Sequence, residues 1–391
     1  MPGSDVGDLL ISAPRVVPAG AGTGVLEPGY VAVRDGRISA VAAGPPPGRA
    51  DIELTEGVLL PGFVDLQVNG YFGVEMGAAD AGGWALVAER LPETGTTAFL
   101  PTYITAPVAD LAAGLRSAAA FVPAMPGGAA RVLGVHVEGP FISPARRGAH
   151  NPSWIVPPSP AAVGELISAG AGVLRLVTLA PEAGGALAAI GQLAAAGVMI
   201  SVGHSDATGG QVAEAAAAGA RMVTHLFNGQ RPLGSYEPGV TGHALADHRL
   251  TSGLIADLHH VCREACLIAF ATAPGRICLV TDASACAGMP PGRYLLGGEP
   301  IDLPPGDGVP PRRPDGGLAG SALRMDRAVA NMVSVGVDLD VAVTAATRIP
   351  ADLIGRPELG RLAPGAVADL AWLDDGLRTR GTWINGERVY P

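Results

Sequence analysis

The sequence predicts an α/β protein: a TIM (β/α)8 barrel with a small β-sandwich domain built from both termini. Between residues 58 and 355, short apolar runs typical of buried strands alternate with Ala- and Leu-rich helical segments, and eight such repeats indicate the barrel. Strand-like segments with turn signals occur at both ends of the chain. The predicted small β domain therefore comprises residues 1–57 plus 356–391, and the predicted barrel comprises residues 58–355.

The terminal segments carry the signals of β-hairpins. Apolar residues 31–33 and 38–41 flank the turn-forming residues 34–37, which contain Asp-Gly. Residues 368–373 and 381–386 form a similar pair near the C-terminus. Because both ends are β-like and the middle is not, the simplest arrangement is one small domain into which the barrel is inserted.

The predicted barrel strands start near Leu59, Thr97, Arg131, Val173, Val198, Arg221, Thr251 and Arg276. In a TIM barrel the chemistry lies at the C-terminal ends of the strands. Glu138, His204 and His225 end the third, fifth and sixth predicted strands, and Asp282 ends the eighth. A carboxylate at the end of a buried strand is costly unless a cation meets it. One Glu and two His on separate strands suit one divalent transition metal.

Composition excludes several classes of protein. With 391 residues, 48% hydrophobic and 16% charged, the chain is globular, and its net charge of −10 argues against nucleic acid or an anionic membrane as a partner. The uncharged segment 183–202 reads as a helix, a C-cap at Gly197 and a strand rather than a membrane span. Asp5 and Asp8 leave the N-terminus without the pattern of a signal peptide, so a cytoplasmic location is expected.

The first barrel strand carries Pro61-Gly62-Phe63-Val64-Asp65, followed by Gln67 and Asn69. This string resembles the amidohydrolase superfamily, whose members usually carry His-x-His at the last two positions. Neutral amides are poor ligands for a borderline cation, so a second metal is not expected. Gln67 and Asn69 are predicted to lie around the metal ligands, or only to orient water and loops. His136 precedes Glu138 by two residues on the same side of its strand, which favours a packing role next to the metal site.

Further motifs are similar to those of the N-acetylglucosamine-6-phosphate deacetylase family. They are Gly134-Val135-His136-Val137-Glu138-Gly139-Pro140-Phe141, Arg147-Gly148-Ala149-His150-Asn151-Pro152, Ser201-Val202-Gly203-His204-Ser205, Thr224-His225-Leu226-Phe227-Asn228, Val280-Thr281-Asp282-Ala283 and Leu318-Ala319-Gly320-Ser321-Ala322-Leu323. Each string is weak alone, but together they occur in order over nearly the whole chain. The combination is specific.

The resemblance implies that Glu138, His204 and His225 bind one divalent metal per subunit, with zinc first and iron or cobalt also compatible. A metal of this kind supplies hydroxide at neutral pH by lowering the pKa of its bound water to about 7. Asp282 matches the family's catalytic carboxylate, which takes the water proton and then protonates the leaving amine. The residues implied to bind substrate are His150, Asn228, Gly229, Tyr236, His260 and Ala319.

Tyr236 departs from the family pattern. It stands where the family has an Arg that grips the substrate phosphate across a dimer interface. A guanidinium makes charge-assisted, often bidentate bonds to phosphate, whereas a phenol offers one neutral donor. The sequence therefore suggests the hypothesis that the preferred substrate lacks the 6-phosphate.

The predicted function is metal-dependent deacetylation of an N-acetyl amino sugar, N-acetylglucosamine 6-phosphate or a related N-acetylhexosamine with or without phosphate. The expected partner is this small molecule, and the expected assembly is a homodimer. Two alternatives remain open at this point. One is another amide hydrolase of the superfamily, dihydroorotase-like or an N-acyl-amino-acid deacylase. The other is a non-catalytic sugar-binding homologue.

Overall fold

The computed structural model describes residues 8–20 and 22–391. Its strands are β1 (Leu9–Ala13), β2 (Gly29–Arg34), β3 (Arg37–Ala43), β4 (Ile52–Glu53), β5 (Val58–Pro61), β6 (Phe63–Val68), β7 (Gly70–Tyr71), β8 (Val74–Glu75), β9 (Thr96–Ile104), β10 (Arg131–Val132), β11 (Val135–Glu138), β12 (Leu174–Leu179), β13 (Met199–Val202), β14 (Met222–Val223), β15 (Thr251–Ile255), β16 (Ile277–Val280), β17 (Gly292–Leu296), β18 (Glu299–Leu303), β19 (Leu370–Leu373), β20 (Thr379–Ile384) and β21 (Glu387–Tyr390). Its α-helices are α1 (Ala81–Arg90), α2 (Val108–Phe121), α3 (Pro160–Ala169), α4 (Ala186–Ala195), α5 (Gly209–Ala218), α6 (Gly239–Ala246), α7 (Arg263–Thr272), α8 (Met325–Val335), α9 (Leu339–Ala346) and α10 (Arg348–Leu353).

Local sequence signals set several element boundaries in the barrel. The Thr208 side chain accepts the Gln211 N–H and the Gln211 side chain accepts the Thr208 N–H, a capping box that starts α5. The Ala-rich α4 ends before Gly197, whose φ of +73° is the left-handed conformation that glycine adopts easily, and β13 follows. The helix, cap and strand predicted for residues 183–202 are confirmed. No helix within residues 8–20 and 22–391 is both long and apolar enough to cross a membrane.

In the described part of the chain, eight parallel strands form the barrel in the order β6-β9-β11-β12-β13-β14-β15-β16, with β10 extending the third strand at its start. Helices follow the strands and cover the outside of the barrel. Seven of the eight predicted strand starts lie within one residue of the observed ones. The predicted TIM barrel is confirmed.

The strand predicted to start near Leu59 was wrong as a barrel strand. Val58–Pro61 pairs antiparallel with β19 in the small domain, and the first barrel strand starts at Phe63. The two strands read as one buried apolar run because only Gly62 separates them. A Cβ at Gly62 would lie 2.1 Å from the Thr97 hydroxyl oxygen, so the close approach of β9 requires glycine where the chain passes between sheets.

The small domain consists of two four-stranded sheets, β3-β2-β1-β4 and β21-β20-β19-β5. Side chains from both sheets share one core, which includes Ile11, Val31, Leu59, Leu370 and Trp383. This arrangement is the predicted β-sandwich built from both ends of the chain. The hairpin predicted around residues 34–37 is β2–β3. The division of the chain at residues 57 and 356 stays a prediction.

A second hairpin, β17–β18, follows the eighth barrel strand and was not predicted from the sequence. Leu296, Ile301 and Leu303 of this hairpin pack in a small apolar cluster with Cys286 and Ala319. The partly buried Ile104 at the end of β9 packs against the same cluster. The hairpin therefore lies over the C-terminal end of the barrel, next to the predicted site.

Candidate metal centre and active site

The four residues predicted to carry the chemistry follow directly from strand ends. Glu138 is the last residue of β11, and His204, His225 and Asp282 each stand two residues beyond the strand before them. The φ angles of these last three are 46°, 28° and 50°. Non-glycine residues rarely adopt positive φ, and such strain persists where the surrounding structure enforces it, often at functional sites.

Glu138, His204 and His225 converge on one point, and all three are buried. The Nε2 atoms of His225 and His204 lie 3.1 and 3.3 Å from the Glu138 Oε1 atom. The two Nε2 atoms lie 3.1 Å from each other. Within the described residues, this cluster has the composition and spacing of a site for one metal ion.

The tautomers of the two histidines support this assignment. His204 Nδ1 lies 2.9 Å from the carbonyl oxygen of Arg146, and His225 Nδ1 lies 3.1 Å from that of Asn228. A carbonyl oxygen only accepts hydrogen bonds, so in the neutral rings both Nδ1 atoms carry the proton and both Nε2 atoms present lone pairs. Two lone pairs and a carboxylate oxygen then face one another, an arrangement that a divalent cation satisfies.

Gln67 and Asn69 contact the carboxylates of the site. Gln67 Nε2 donates to Glu138 Oε1 at 3.0 Å and to Asp282 Oδ1 at 2.9 Å. Asn69 Nδ2 donates to the same Asp282 oxygen at 2.7 Å. The amide oxygens of Gln67 and Asn69 are buried and have no hydrogen-bond partner among the described residues. Both amides therefore orient Asp282 through their NH2 groups.

The pKa values of the Glu138 and Asp282 carboxylates are shifted in opposite directions. Burial opposes ionisation of Glu138, but hydrogen bonds with His204 and His225 hold its pKa well below its ordinary value. Burial and the neighbouring Glu138 charge raise the pKa of Asp282 to about 6. Burial also works against a charged His225, yet its bond to Glu138 raises its pKa to about 9. A metal ion that binds here must displace that proton.

His150 faces the same space. The backbone N–H of Thr105 donates to His150 Nδ1 at 3.3 Å, and the Thr105 hydroxyl oxygen lies 2.7 Å from this atom. Burial lowers the pKa of His150 to about 3, so the ring is neutral. Its proton lies on Nε2, which is 3.9 Å from Glu138 Oε2. His150 thus offers one N–H donor beside the candidate metal ligands.

His260 is oriented by a carboxylate. His260 Nδ1 lies 2.6 Å from Asp257 Oδ2, and Asp257 Oδ1 accepts the backbone N–H groups of His259 and His260, both at 2.8 Å.

His136 lies below the site with its Nε2 2.8 Å from the Thr178 hydroxyl, and burial lowers its pKa to about 4. The neutral His136 ring lies between the hydroxyls of Thr102 and Thr178, and its predicted packing role stays a prediction.

These side chains line a cavity of about 210 Å³ at the C-terminal end of the barrel. The predicted residues on its wall are Asn69, Glu138, His150, His204, His225, Asn228, Gly229, His260 and Asp282. Ala319 does not line it: its neighbours Leu318 and Gly320 do, while Ala319 is buried in the cluster under the β17–β18 hairpin. Tyr236 lies on a surface loop and is fully exposed. The roles predicted for Ala319 and Tyr236 stay predictions.

Sequence reasoning missed three residues that hold the site. Asp65 was quoted only as part of a motif, and Thr105 and Asp257 received no role. Thr105 directly follows β9 and supports His150, while Asp257 precedes His260 by three residues and binds its ring. An Asp just after a strand and three residues before a His is a signal that could have identified Asp257.

Comparison with known proteins identifies the family to which this chain belongs. The chain is 37% identical over 369 residues to an N-acetylgalactosamine-6-phosphate deacetylase of Escherichia coli O157:H7, with 93% of this chain and 95% of the relative covered. It is 38% identical to the N-acetylglucosamine-6-phosphate deacetylase of Bos taurus, with 85% and 83% covered. The chain belongs to the N-acetylglucosamine-6-phosphate deacetylase family. Members of this family are hydrolases of amide bonds, so the predicted family and enzyme class are confirmed.

Solved structures of the deacetylase family agree over the whole fold. A mutant of the Mycobacterium smegmatis N-acetyl-D-glucosamine-6-phosphate deacetylase in complex with N-acetyl-D-glucosamine-6-phosphate matches with a TM-score of 0.92 at 36% identity, covering 98% of this chain and 100% of that one. The Thermotoga maritima N-acetylglucosamine-6-phosphate deacetylase matches with a TM-score of 0.86 at 30% identity, covering 98% and 99%. A sequence profile of the Amidohydrolase family matches residues 306–389.

Proposed function

We propose that this protein hydrolyses the acetamide of an N-acetylhexosamine and releases acetate and the free amino sugar. The observation that carries the proposal is the buried Asp282 carboxylate, held by Gln67 and Asn69 beside the three converging atoms of Glu138, His204 and His225. The relatives that match most of the chain are named as deacetylases of N-acetylglucosamine or N-acetylgalactosamine 6-phosphate.

We propose that Glu138, His204 and His225 hold one zinc ion, with iron or cobalt able to take its place because all three accept carboxylate and imidazole ligands. When bound, such an ion activates water and polarises a carbonyl group. The NH2 groups of Gln67 and Asn69 point at the carboxylates, which supports a site for a single ion.

Asp282 is the proposed acid and base. A pKa of about 6 leaves it ionised at neutral pH, yet close enough to neutrality to hold a proton. Its carboxylate takes one proton as water adds to the acetyl carbon. It then gives that proton to the nitrogen as the C–N bond breaks, because an amine leaves poorly as an anion. Gln67 and Asn69 keep one carboxylate oxygen fixed during both transfers.

His150 and His260 are proposed to contact the substrate. The neutral His150 ring directs its Nε2–H into the cavity, where it can donate to the acetyl carbonyl oxygen. His260 is held by Asp257 and lies on the side of the cavity formed by Asn228 and Gly229. We propose that these three residues face the sugar ring and its substituents.

The 6-phosphate is proposed to contribute little to binding. Among the described residues that line the catalytic cavity, none is Arg or Lys. The nearby Arg146 and Arg231 both bind Asp206, each at 2.7 Å. Tyr236, in the position of the family's phosphate-gripping Arg, provides no positive charge.

We also propose a homodimer in the cytoplasm. Leu233 and Tyr236 are exposed on the loop that joins the metal ligand His225 to α6, and exposed apolar side chains beside a site favour a protein interface. Analytical ultracentrifugation checks the assembly, and a monomer at micromolar concentration would contradict it.

The proposed reaction is tested by incubating the metal-loaded protein with N-acetylglucosamine and with the 6-phosphates of N-acetylglucosamine and N-acetylgalactosamine. Acetate and primary amine should appear in equal amounts. Asp282→Asn should slow the release of both by about 10²- to 10⁴-fold while retaining the metal. Absence of acetate from all three compounds with a fully loaded protein would contradict the proposal.

A further inference from the structure

A second cavity adjoins the catalytic one. It has a volume of about 340 Å³ and is lined mainly by apolar side chains, among them Tyr103, Ile104, Leu111, Trp154, Leu295 and Leu296. We call it the lateral cavity. It shares Asn69, Ile104 and Leu296 with the wall of the catalytic cavity, so the two spaces meet beside the amide that orients Asp282. Nothing in the proposed acetamide hydrolysis uses this volume.

Ile104 on the wall of the lateral cavity lies across the barrel from Asn228, which is proposed to face the sugar. The inner wall of the lateral cavity comes from Asn69 after β6 and from Ile104 at the end of β9, the first and second barrel strands. The residues proposed to face the sugar, Asn228 and His260, follow the sixth and seventh strands. In a ring of eight strands the second and sixth are opposite.

The geometry of an amide connects these two sides. An amide is planar and prefers the trans form, which places the nitrogen substituent and the acyl chain on opposite sides of the C–N bond. A substrate whose sugar ring lies against Asn228 therefore directs its acyl chain across the barrel toward the end of β9. The chain then points at the junction between the two cavities.

Ile104 and Leu296 form the partition at this junction. Ile104 is the register partner of Glu138 on the neighbouring strand, so it lies directly beside a candidate metal ligand. Leu296 comes from the β17–β18 hairpin, whose turn is held by a 2.6 Å hydrogen bond from the Gly297 N–H to Glu75. The residues shared by the two walls are thus two aliphatic side chains and the neutral amide of Asn69.

The wall of the lateral cavity carries negative charge. Glu75 and Asp110 both line it, and no Arg or Lys is among the described residues that do. A neutral aliphatic chain can pack against the apolar side chains without bringing a charge near either carboxylate. An acyl chain ending in a carboxylate would face like charges in a partly buried space.

We propose that the lateral cavity is an acyl subsite, which lets this protein hydrolyse neutral N-acyl amino sugars with chains longer than acetyl, such as N-propionyl and N-butyryl. The proposal rests on the proposed deacetylase function. The chemistry is unchanged: water adds to the acyl carbon, the C–N bond breaks, the acyl group leaves as its carboxylate, and both water protons end on the amine, which leaves as its ammonium ion. The subsite determines which acyl groups the enzyme accepts.

The test compares glucosamine 6-phosphate and glucosamine carrying N-acetyl, N-propionyl, N-butyryl or N-succinyl groups, with the metal-loaded full chain. We expect kcat/KM for N-butyryl to stay within about tenfold of that for N-acetyl, since a buried methylene changes the ratio only moderately. N-succinyl should be at least about a hundredfold poorer because of charge repulsion. A drop of more than about a hundredfold at N-propionyl would overturn the subsite.

Variants of the cavity wall separate the subsite from general loosening of the fold. Ile104→Ala opens the partition and should raise the N-butyryl to N-acetyl ratio of kcat/KM by about tenfold. Ala106→Leu fills the lateral cavity, which Ala106 lines, and should lower that ratio by about tenfold. Leu318→Ala is the matched control, because Leu318 lines only the catalytic cavity and its loss should leave the ratio unchanged.

The outcomes distinguish the two proposals. Hydrolysis of N-acetyl substrates, with a ratio that neither Ile104→Ala nor Ala106→Leu changes, would overturn the acyl subsite and leave the proposed function standing. No hydrolysis of any acylated amino sugar by the loaded enzyme would overturn both. Opposite shifts of the ratio in the two variants would support the subsite, even if Ile104→Ala lowers stability.

Discussion

The Asp65 Oδ2 atom accepts a 2.5 Å hydrogen bond from the Thr281 hydroxyl, which ties the first barrel strand to the residue that follows the eighth. Asp65 Oδ1 also accepts the backbone N–H groups of Gln67 and Thr281, both at 3.2 Å. Between these strands the described residues form only an isolated bridge, Val68 with Ala283. A buried side chain therefore supplies part of the hydrogen bonding that a β-ladder provides elsewhere in the barrel.

Substitution of Asp65 or Thr281 should lower the stability of the fold, and the two effects should overlap because both remove the same hydrogen bond. Asp65→Asn and Thr281→Val are each expected to lower the free energy of unfolding by about 1–3 kcal/mol, because each leaves buried polar groups without partners. The double variant should cost less than the sum of the two single changes. Urea denaturation with a double-mutant cycle measures this coupling, and strict additivity would show that the bond does not join the two strands.

Asp282 should determine the acid limb of the activity profile. It must be ionised to accept a proton, so kcat/KM should fall as pH drops through a pKa near or below 6, since a bound cation lowers the value that burial has raised. Asp282→Asn should reduce kcat by about 10²- to 10⁴-fold and remove the limb. Metal content by elemental analysis is the control: loss of the ion along with activity would assign Asp282 a structural role.

The neutral NH2 group of Gln67 bridges the carboxylates of Glu138 and Asp282. A charge introduced at position 67 should therefore shift the pKa of Asp282. Gln67→Glu places a third carboxylate within hydrogen-bond distance of Glu138 and Asp282, so the pKa of Asp282 should rise and the acid limb should move to higher pH. Gln67→Met is the matched neutral control, which removes the donor without adding charge. An unchanged limb in Gln67→Glu would show that Asp282 does not govern the profile.

The sequence predicted the barrel and the position of Glu138, His204 and His225 near strand ends because both depend on local patterns. Runs such as residues 132–137 are mainly apolar and are followed by a polar residue, which locates Glu138 at a strand end without knowledge of its neighbours. The partners of that residue are not local. Gln67 is 71 residues away from Glu138, and nothing in its motif indicates that its NH2 group bridges Glu138 and Asp282. The pattern of a neutral amide in a strand fits several roles.

The boundary between β5 and β6 and the β17–β18 hairpin were harder to predict, because both depend on packing that the local sequence does not encode. Val58–Pro61 and Phe63–Val68 are equally apolar because both are buried, one in the sandwich and one in the barrel, so periodicity does not separate them. The residues of β17 are mostly exposed, and the only strong turn signal in the β17–β18 hairpin is Gly297-Gly298. Its importance comes from where it packs, against Ile104, which only the folded chain shows.

The affinity of the protein for its metal ion should increase as the pH rises. The pKa of His225 is raised to about 9 by its bond to Glu138, and the ion must displace that proton. The apparent affinity should therefore rise about tenfold per pH unit up to about pH 9 and then level off. Calorimetric titration of the metal-free protein in buffers of different ionisation enthalpy measures the released protons. A stoichiometry other than one ion per chain, or no proton release at pH 7, would contradict the site.

Tyr236 provides the last prediction, on substrate phosphate. The wild-type ratio of kcat/KM for N-acetylglucosamine 6-phosphate over N-acetylglucosamine should be below about tenfold, because the loop offers a phenol where a guanidinium would make charge-assisted bonds. Tyr236→Arg should raise the ratio by about ten- to a hundredfold, and Tyr236→Phe should leave it unchanged. Since Tyr236 is fully exposed in the single chain, the new guanidinium reaches phosphate only if the loop meets a substrate at a subunit interface. A large ratio in the wild type would instead show that the phosphate is held by other groups.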